Sequence, residues 1–149
     1  MEERRFFQEL GKQIYRMDAM YENYAKRLKL KNARLLWVLY ALDDGTNHSQ
    51  KEISENWNMP KSSVNAVVSE LHEEGYVVFL PIQGQKRELL IRLTPSGEAY
   101  AHEMLKDLYA IEKHAFDKFS PATLTTLSSL EDINRTLTEA EMLHSRRKA

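Results

Sequence analysis

Between Pro60 and Gly75 the chain carries small hydrogen-bonding side chains at regular intervals: Lys61, Ser62, Ser63, Asn65, Ala66, Ser69 and His72. Val64, Val67, Val68 and Leu71 are interleaved among them at the spacing that puts apolar groups on one face of a helix. Serine hydroxyls and an asparagine amide on the remaining faces break no bonds. They donate and accept hydrogen bonds at close range, and a helix studded with them is thin enough to approach the base edges of a DNA major groove. Lys61 at the helix start supplies charge for a phosphate, and free N–H groups there add to it. Ten residues beyond the helix, Gln83-Gly84-Gln85-Lys86-Arg87 places two cations, Lys86 and Arg87, at a turn. From there they can reach phosphate or the adjacent minor groove.

Other chemistry finds little support. The five histidines (His48, His72, His102, His114, His144) show no metal-binding spacing, since His102 and His114 are three helical turns apart. No metal site and no cofactor are expected. The absence of cysteine removes disulfides, thiolate zinc sites, iron–sulfur clusters and thiol redox sensing. No phosphate-cradling glycine loop, nucleophile elbow or metalloprotease motif occurs, so no catalytic residue is assigned and an enzyme is not expected. Tyr15, Tyr21, Tyr24, Trp37 and Tyr40 are either core or the walls of a small-molecule pocket.

These side chains need elements to hold them. Phe7, Leu10, Ile14, Met17, Tyr21, Tyr24 and Leu28 step 3-4-3-4-3-4, which predicts a helix over residues 4–29 with a narrow apolar seam. Residues 32–43 are apolar nearly all round and predict a buried helix ended at Gly45. Ser49-Gln50-Lys51-Glu52 is a capping box opening a short helix over 50–57 that buries Ile53 and Trp57. Pro60, expected at the first helical position, starts the polar-faced helix, which runs to about residue 74. Residues 77–82 and 88–93 predict a β-hairpin, with Pro81 confining its strand to an edge. Thr94-Pro95 and Ser120-Pro121 each look like a cap followed by proline, opening helices over 95–118 and 121–145. Ala101, Met104, Leu108, Ile111 and Ala115 line the first; Leu124, Leu127, Leu130, Ile133 and Leu137 line the second.

A capped short helix, a tight turn, a second helix and a hairpin make a winged helix-turn-helix. The fold class expected is therefore mainly α with a small β-hairpin wing. Residues 30–94 form the DNA-binding part, and residues 1–29 and 95–149 form flanking helices whose seams demand a partner. Net charge is −1, but residues 25–34 hold five basic groups and no acid. No apolar run approaches the roughly 18–20 residues of a membrane span, and no export signal opens the chain, so a cytoplasmic protein away from membranes is expected.

The stretch from Ser49 to Gly97 resembles the MarR family of bacterial winged-helix transcriptional regulators. The residues that carry the resemblance are Ser49-Gln50-Lys51-Glu52-Ile53, Pro60-Lys61-Ser62-Ser63-Val64, Leu71-His72-Glu73-Glu74-Gly75-Tyr76, Lys86-Arg87 and Ile91-Arg92-Leu93-Thr94-Pro95-Ser96-Gly97. The long flanking helices extend it over essentially the whole chain. It implies a homodimer that reads a pseudo-palindromic operator, expected to act as a repressor. It also implies a small aromatic effector between the dimerisation and DNA-binding parts, for which Tyr21 and Trp37 are the candidate contacts. The candidate DNA contacts are Ser49, Lys61, Ser62, Ser63, Asn65, Ala66, Ser69, Lys86 and Arg87. The family's wing carries an Asp two residues before its Arg; here Gln85 stands there, and it cannot hold Arg87 by charge. The alternative is a winged-helix module that binds proteins and no specific DNA.

Overall fold

The computed structural model describes residues 2–31, 33–119 and 122–146. The elements run in the order α1 (Glu2–Arg27), α2 (Ala33–Leu42), β1 (His48–Ser49), α3 (Gln50–Asn56), α4 (Lys61–Glu73), β2 (Val77–Pro81), β3 (Leu89–Leu93), α5 (Pro95–Phe116) and α6 (Ala122–Arg146). Two compact units divide the chain, Met1–Leu108 and Tyr109–Ala149. Among the described residues no helix is long and apolar enough to cross a membrane.

The core of the first unit is built on α2, whose Leu36, Val38 and Leu39 are wholly buried. Ile53 of α3, Val64 and Val68 of α4, Val77 of β2, Ile91 of β3, and Leu105 and Leu108 of α5 close around them. Burying aliphatic side chains of this size contributes about 1.5–3 kcal/mol each. The valine face expected for α4 is the face that is buried, together with Leu71. Tyr24 ties α1 to α5: its hydroxyl donates to the Met104 carbonyl at 2.7 Å and accepts from the Leu108 N–H at 3.2 Å. Burial, first of several causes, pushes its phenol up from the ordinary value.

The sheet has three strands in the order β1-β3-β2, both pairings antiparallel. The hairpin of β2 and β3 was expected. β1 was not, because two residues are too short to show an alternating pattern. Pro81 lies on the edge strand β2, as its missing donor requires. Pro60 is the residue before the helix, not its first residue: its backbone is extended (ψ 136°), and its carbonyl accepts from Ser63 and Val64.

Gly97 has a specific steric reason. A Cβ there would lie 1.9 Å from the carbonyl oxygen of Tyr76. Around that approach, Thr94 donates to the Gly75 carbonyl (2.7 Å) and caps α5 through the Gly97 N–H (3.1 Å). Tyr76 and Tyr100 stack with ring centroids 4.4 Å apart. The end of α4 is thereby bolted to the start of α5.

The seam of α1 faces outward over most of its length: Phe7 is 44%, Ile14 47% and Met17 59% exposed. In the second unit, Leu127 and Leu137 of α6 are likewise exposed, as are Ile111 and Phe116 of α5. Of the expected stripe on α5, Ala101 and Leu108 are buried, Met104 is half-buried, and Ile111 and Ala115 are exposed; Leu105, which was not expected on it, is buried. The expected Ser120-Pro121 cap lies outside the described residues.

Candidate nucleic-acid interface

The helix-turn-helix is set by two backbone devices. Ser49 accepts from the Glu52 N–H at 3.1 Å, and Glu52 accepts from the Ser49 N–H at 2.7 Å, so the capping box forms in full. At the other end of α3, Asn58 takes a left-handed conformation (φ 47°) and turns the chain into α4. Asparagine tolerates that conformation better than most residues with a side chain.

On α4, Ser62, Ala66, Ser69 and Glu73 follow each other at 4-3-4 spacing and are all exposed. They form the outermost ridge, opposite the valines. Lys61 and Asn65 are exposed beside it, and Ser63 is half-buried on its other side. The ridge is small and uncharged until Glu73; Glu70, Glu73 and Glu74 gather at the C-terminal end. An approaching phosphate backbone is therefore tolerated only at the N-terminal half. No side chain caps that end of the helix.

The wing is on one flank of α4, where the rings of His72 and Phe79 meet at 4.8 Å. Its turn is closed by the Gln85 N–H donating to the Ile82 carbonyl at 3.0 Å, with Gly84 at φ 81°. Lys86 and Arg87 are exposed at its tip. Neither has a carboxylate partner among the described residues, whereas Lys12, Lys106, Lys113 and Arg135 elsewhere are all ion-paired. Gln85 lines a cleft with Glu52, Glu55 and Glu88. Lys51 lines the same cleft and offsets part of that acidic charge.

Ser49 stands apart from the other candidates. It is 2% exposed and its hydroxyl is engaged in the cap, so its side chain offers no surface to a base. Of the candidate effector residues, Tyr21 and Trp37 pack on each other with centroids 4.7 Å apart. Trp37 also stacks on Trp57 at 5.1 Å, and Tyr40 meets Trp57 edge-on at 5.7 Å. The neighbouring cavity, about 360 Å³, is walled by Tyr40 and Trp57, not by Tyr21 and Trp37. At its rim His48 bonds Asp44 at 2.9 Å. Burial pushes the Asp44 carboxyl up, but the bonds from Thr46 and His48 outweigh it and hold the pKa below the ordinary value. Among the described residues, no group of three or more His, Cys, Asp or Glu is placed to hold a metal.

Sequence reasoning missed the base of α2. Arg34 lies against α4 beside Ser62 and Ser63. The basic run over 25–34 was the available signal, but nothing in its spacing showed which element it would flank.

Comparison with known proteins adds to this geometry. Residues 28–88 match the model of the MarR family. No curated protein sequence matches the chain. Among solved structures, it is similar to NMB1585, a MarR family regulator from Neisseria meningitidis: TM-score 0.78, 25% identity, 93% of this chain and 96% of that one covered. It shares its fold with overoxidized AbfR bound to DNA, the Staphylococcus epidermidis protein, at TM-score 0.64 and 18% identity over 92% of this chain and 97% of that one. It also shares it with BpsR from Bordetella bronchiseptica, whose DNA binding is regulated by 6-hydroxynicotinic acid, at TM-score 0.63 and 23% identity over 85% and 91%.

Proposed function

We propose that the protein, whose residues 28–88 match the MarR family model and whose fold is similar to that of a MarR family regulator, is a dimeric, sequence-specific DNA-binding repressor of bacterial cytoplasm. One observation carries the reading. The exposed ridge of α4 presents Ser62, Ala66 and Ser69, with Asn65 and Lys61 beside it, and unpaired Lys86 and Arg87 stand at the tip of the adjoining wing. Small polar groups read bases at short range while the cations hold phosphates and set the register. Lys61, Ser62, Ser63, Asn65, Ala66, Ser69, Lys86 and Arg87 are the proposed contacts. Two copies would put their α4 helices in successive major grooves, roughly 34 Å apart. Selection from a random duplex pool tests this: the expected product is an inverted repeat with half-sites one turn apart. Recovery of no enriched sequence would favour the protein-binding module instead.

Release by a small aromatic acid is the second part of the proposal. It is supported by the aromatic cluster of Tyr21, Trp37, Tyr40 and Trp57 and by the regulation described for BpsR. Trp37 and Trp57 are the chain's two tryptophans, so their fluorescence reports directly on the site. Saturable quenching by an aromatic acid that also releases DNA is expected; quenching without release would remove the effector role.

A further inference from the structure

We propose that Ala66 is a specificity-determining contact, which selects a thymine in the half-site by packing on its 5-methyl group. The inference rests on the DNA-binding reading above and deepens it. Val64, Val67, Val68 and Leu71 are turned into the core. Among the described residues of α4, Ala66 is therefore the one apolar side chain left exposed. It lies in the middle of the outer ridge, one helical turn from Ser62 and one from Ser69. A cleft of about 240 Å³ opens beside it, lined by Ser62, Ser63, Ala66, Val67 and Glu70 of α4 with Arg34 of α2. Ala66 and Val67 give this cleft an apolar wall within a polar rim, and a methyl group needs only a small part of its volume.

The major groove limits what can fill such a wall. Among the groups that the four base pairs present there, only the thymine methyl is apolar. A serine hydroxyl both donates and accepts, so Ser62 and Ser69 can bond several bases and discriminate weakly. Asn65 carries the amide that matches adenine. Ala66 has no polar side-chain atom, so a cytosine set against it would strip water from its N4 amino group and gain no acceptor from it. Glu70 is the carboxylate in the same cleft that suits cytosine, but its Oε1 already accepts from Lys31 Nζ at 2.8 Å. Helix propensity does not account for the alanine. Ser62, Asn65 and Ser69 around it are all poorer helix formers, so contact rather than helix strength shapes this ridge.

The test uses the full-length protein and its selected duplex, with a scrambled duplex of equal length as the reference. Each thymine of a half-site is replaced in turn by uracil, which deletes the 5-methyl group and keeps the base pair. At one position the wild type should bind about fourfold more weakly, the effect of one buried methyl group. Replacing that thymine·adenine pair by cytosine·guanine should also weaken binding, and methylating the cytosine at C5 should recover about fourfold. Ala66→Gly removes the methyl group on the protein side and should bind the thymine and uracil duplexes alike. Ala66→Ser sets a hydroxyl against the base and should do the same, at less cost to the helix than glycine. Equal wild-type affinity for thymine and uracil at every position, with the selected duplex still preferred to the scrambled one, overturns the methyl contact and leaves the DNA-binding reading standing. A fourfold loss that persists in both variants overturns the role of Ala66, since another residue then reads the methyl. Binding that does not distinguish the selected from the scrambled duplex overturns both.

Discussion

At the scale of single residues, shared polarity hides different work. Ser49, Ser62 and Asn65 are all small and polar. Ser49 is buried and completes a capping box, whereas Ser62 and Asn65 are exposed on α4. Ser49→Ala should therefore cost about 0.5–2 kcal/mol of folding stability. Once corrected for the unfolded fraction, it should leave the preference among DNA sequences as it was; denaturant melts and competition binding check both halves. Asn65→Ala should cost about 1–3 kcal/mol on the selected duplex and relax preference at one base pair, without a matching loss of stability. Lys61→Ala should weaken all duplexes alike. The division of labour was only half legible in the sequence. Ser49-x-x-Glu52 announced the cap, because that motif is local in the chain. Which serines face outward follows from the valine spacing. That Ser49 is buried depends on β1, whose pairing with β3 joins residues 48–49 to residues 90–91.

Among the elements, the junction of α4, β2 and α5 is the most constrained. Gly97→Ala forces a methyl into the Tyr76 carbonyl, which is backbone and cannot swing away. Overpacking of this kind costs about 1–3 kcal/mol or more. A substantial fall in melting temperature is expected, larger than for alanine at Gly11, where an added Cβ meets nothing. The wing is the opposite case. Lys86 and Arg87 are exposed beyond a single closed turn, and Gln85 gives Arg87 no charged anchor. Arg87→Ala should weaken DNA binding while leaving the melting temperature nearly unchanged. Amide exchange over residues 83–88 should be fast in the free protein and slowed by DNA; equal protection in both states would mean that other contacts hold Arg87. Helices, hairpin and edge proline could be read from periodicity and proline placement, since those signals are local. The third strand, the left-handed Lys29 and Asn58, and the contact of α2 with α4 could not, because each depends on chain segments brought together only by folding.

The whole molecule shows incomplete burial. Phe7, Ile14 and Met17 of α1 form an exposed helical seam in the first unit, and Leu127, Leu137 and Leu143 of α6 are exposed in the second. Each large apolar side chain withdrawn from water contributes about 1.5–3 kcal/mol, so a partner copy covering these stripes would be held firmly. Light scattering should give a dimer at micromolar concentration, and Ile14→Glu should shift it towards monomer; a folded wild-type monomer would remove the dimer. On the proposed function, this surface binds DNA through phosphate contacts and base reading together. It is tested most directly by titrating the selected and the scrambled duplex with the wild-type protein between about 50 and 200 mM salt. Affinity should fall steeply with salt on both duplexes, as counterion release requires, and the preference for the selected duplex should persist at every salt concentration. Equal, salt-independent affinity for the two duplexes would contradict it.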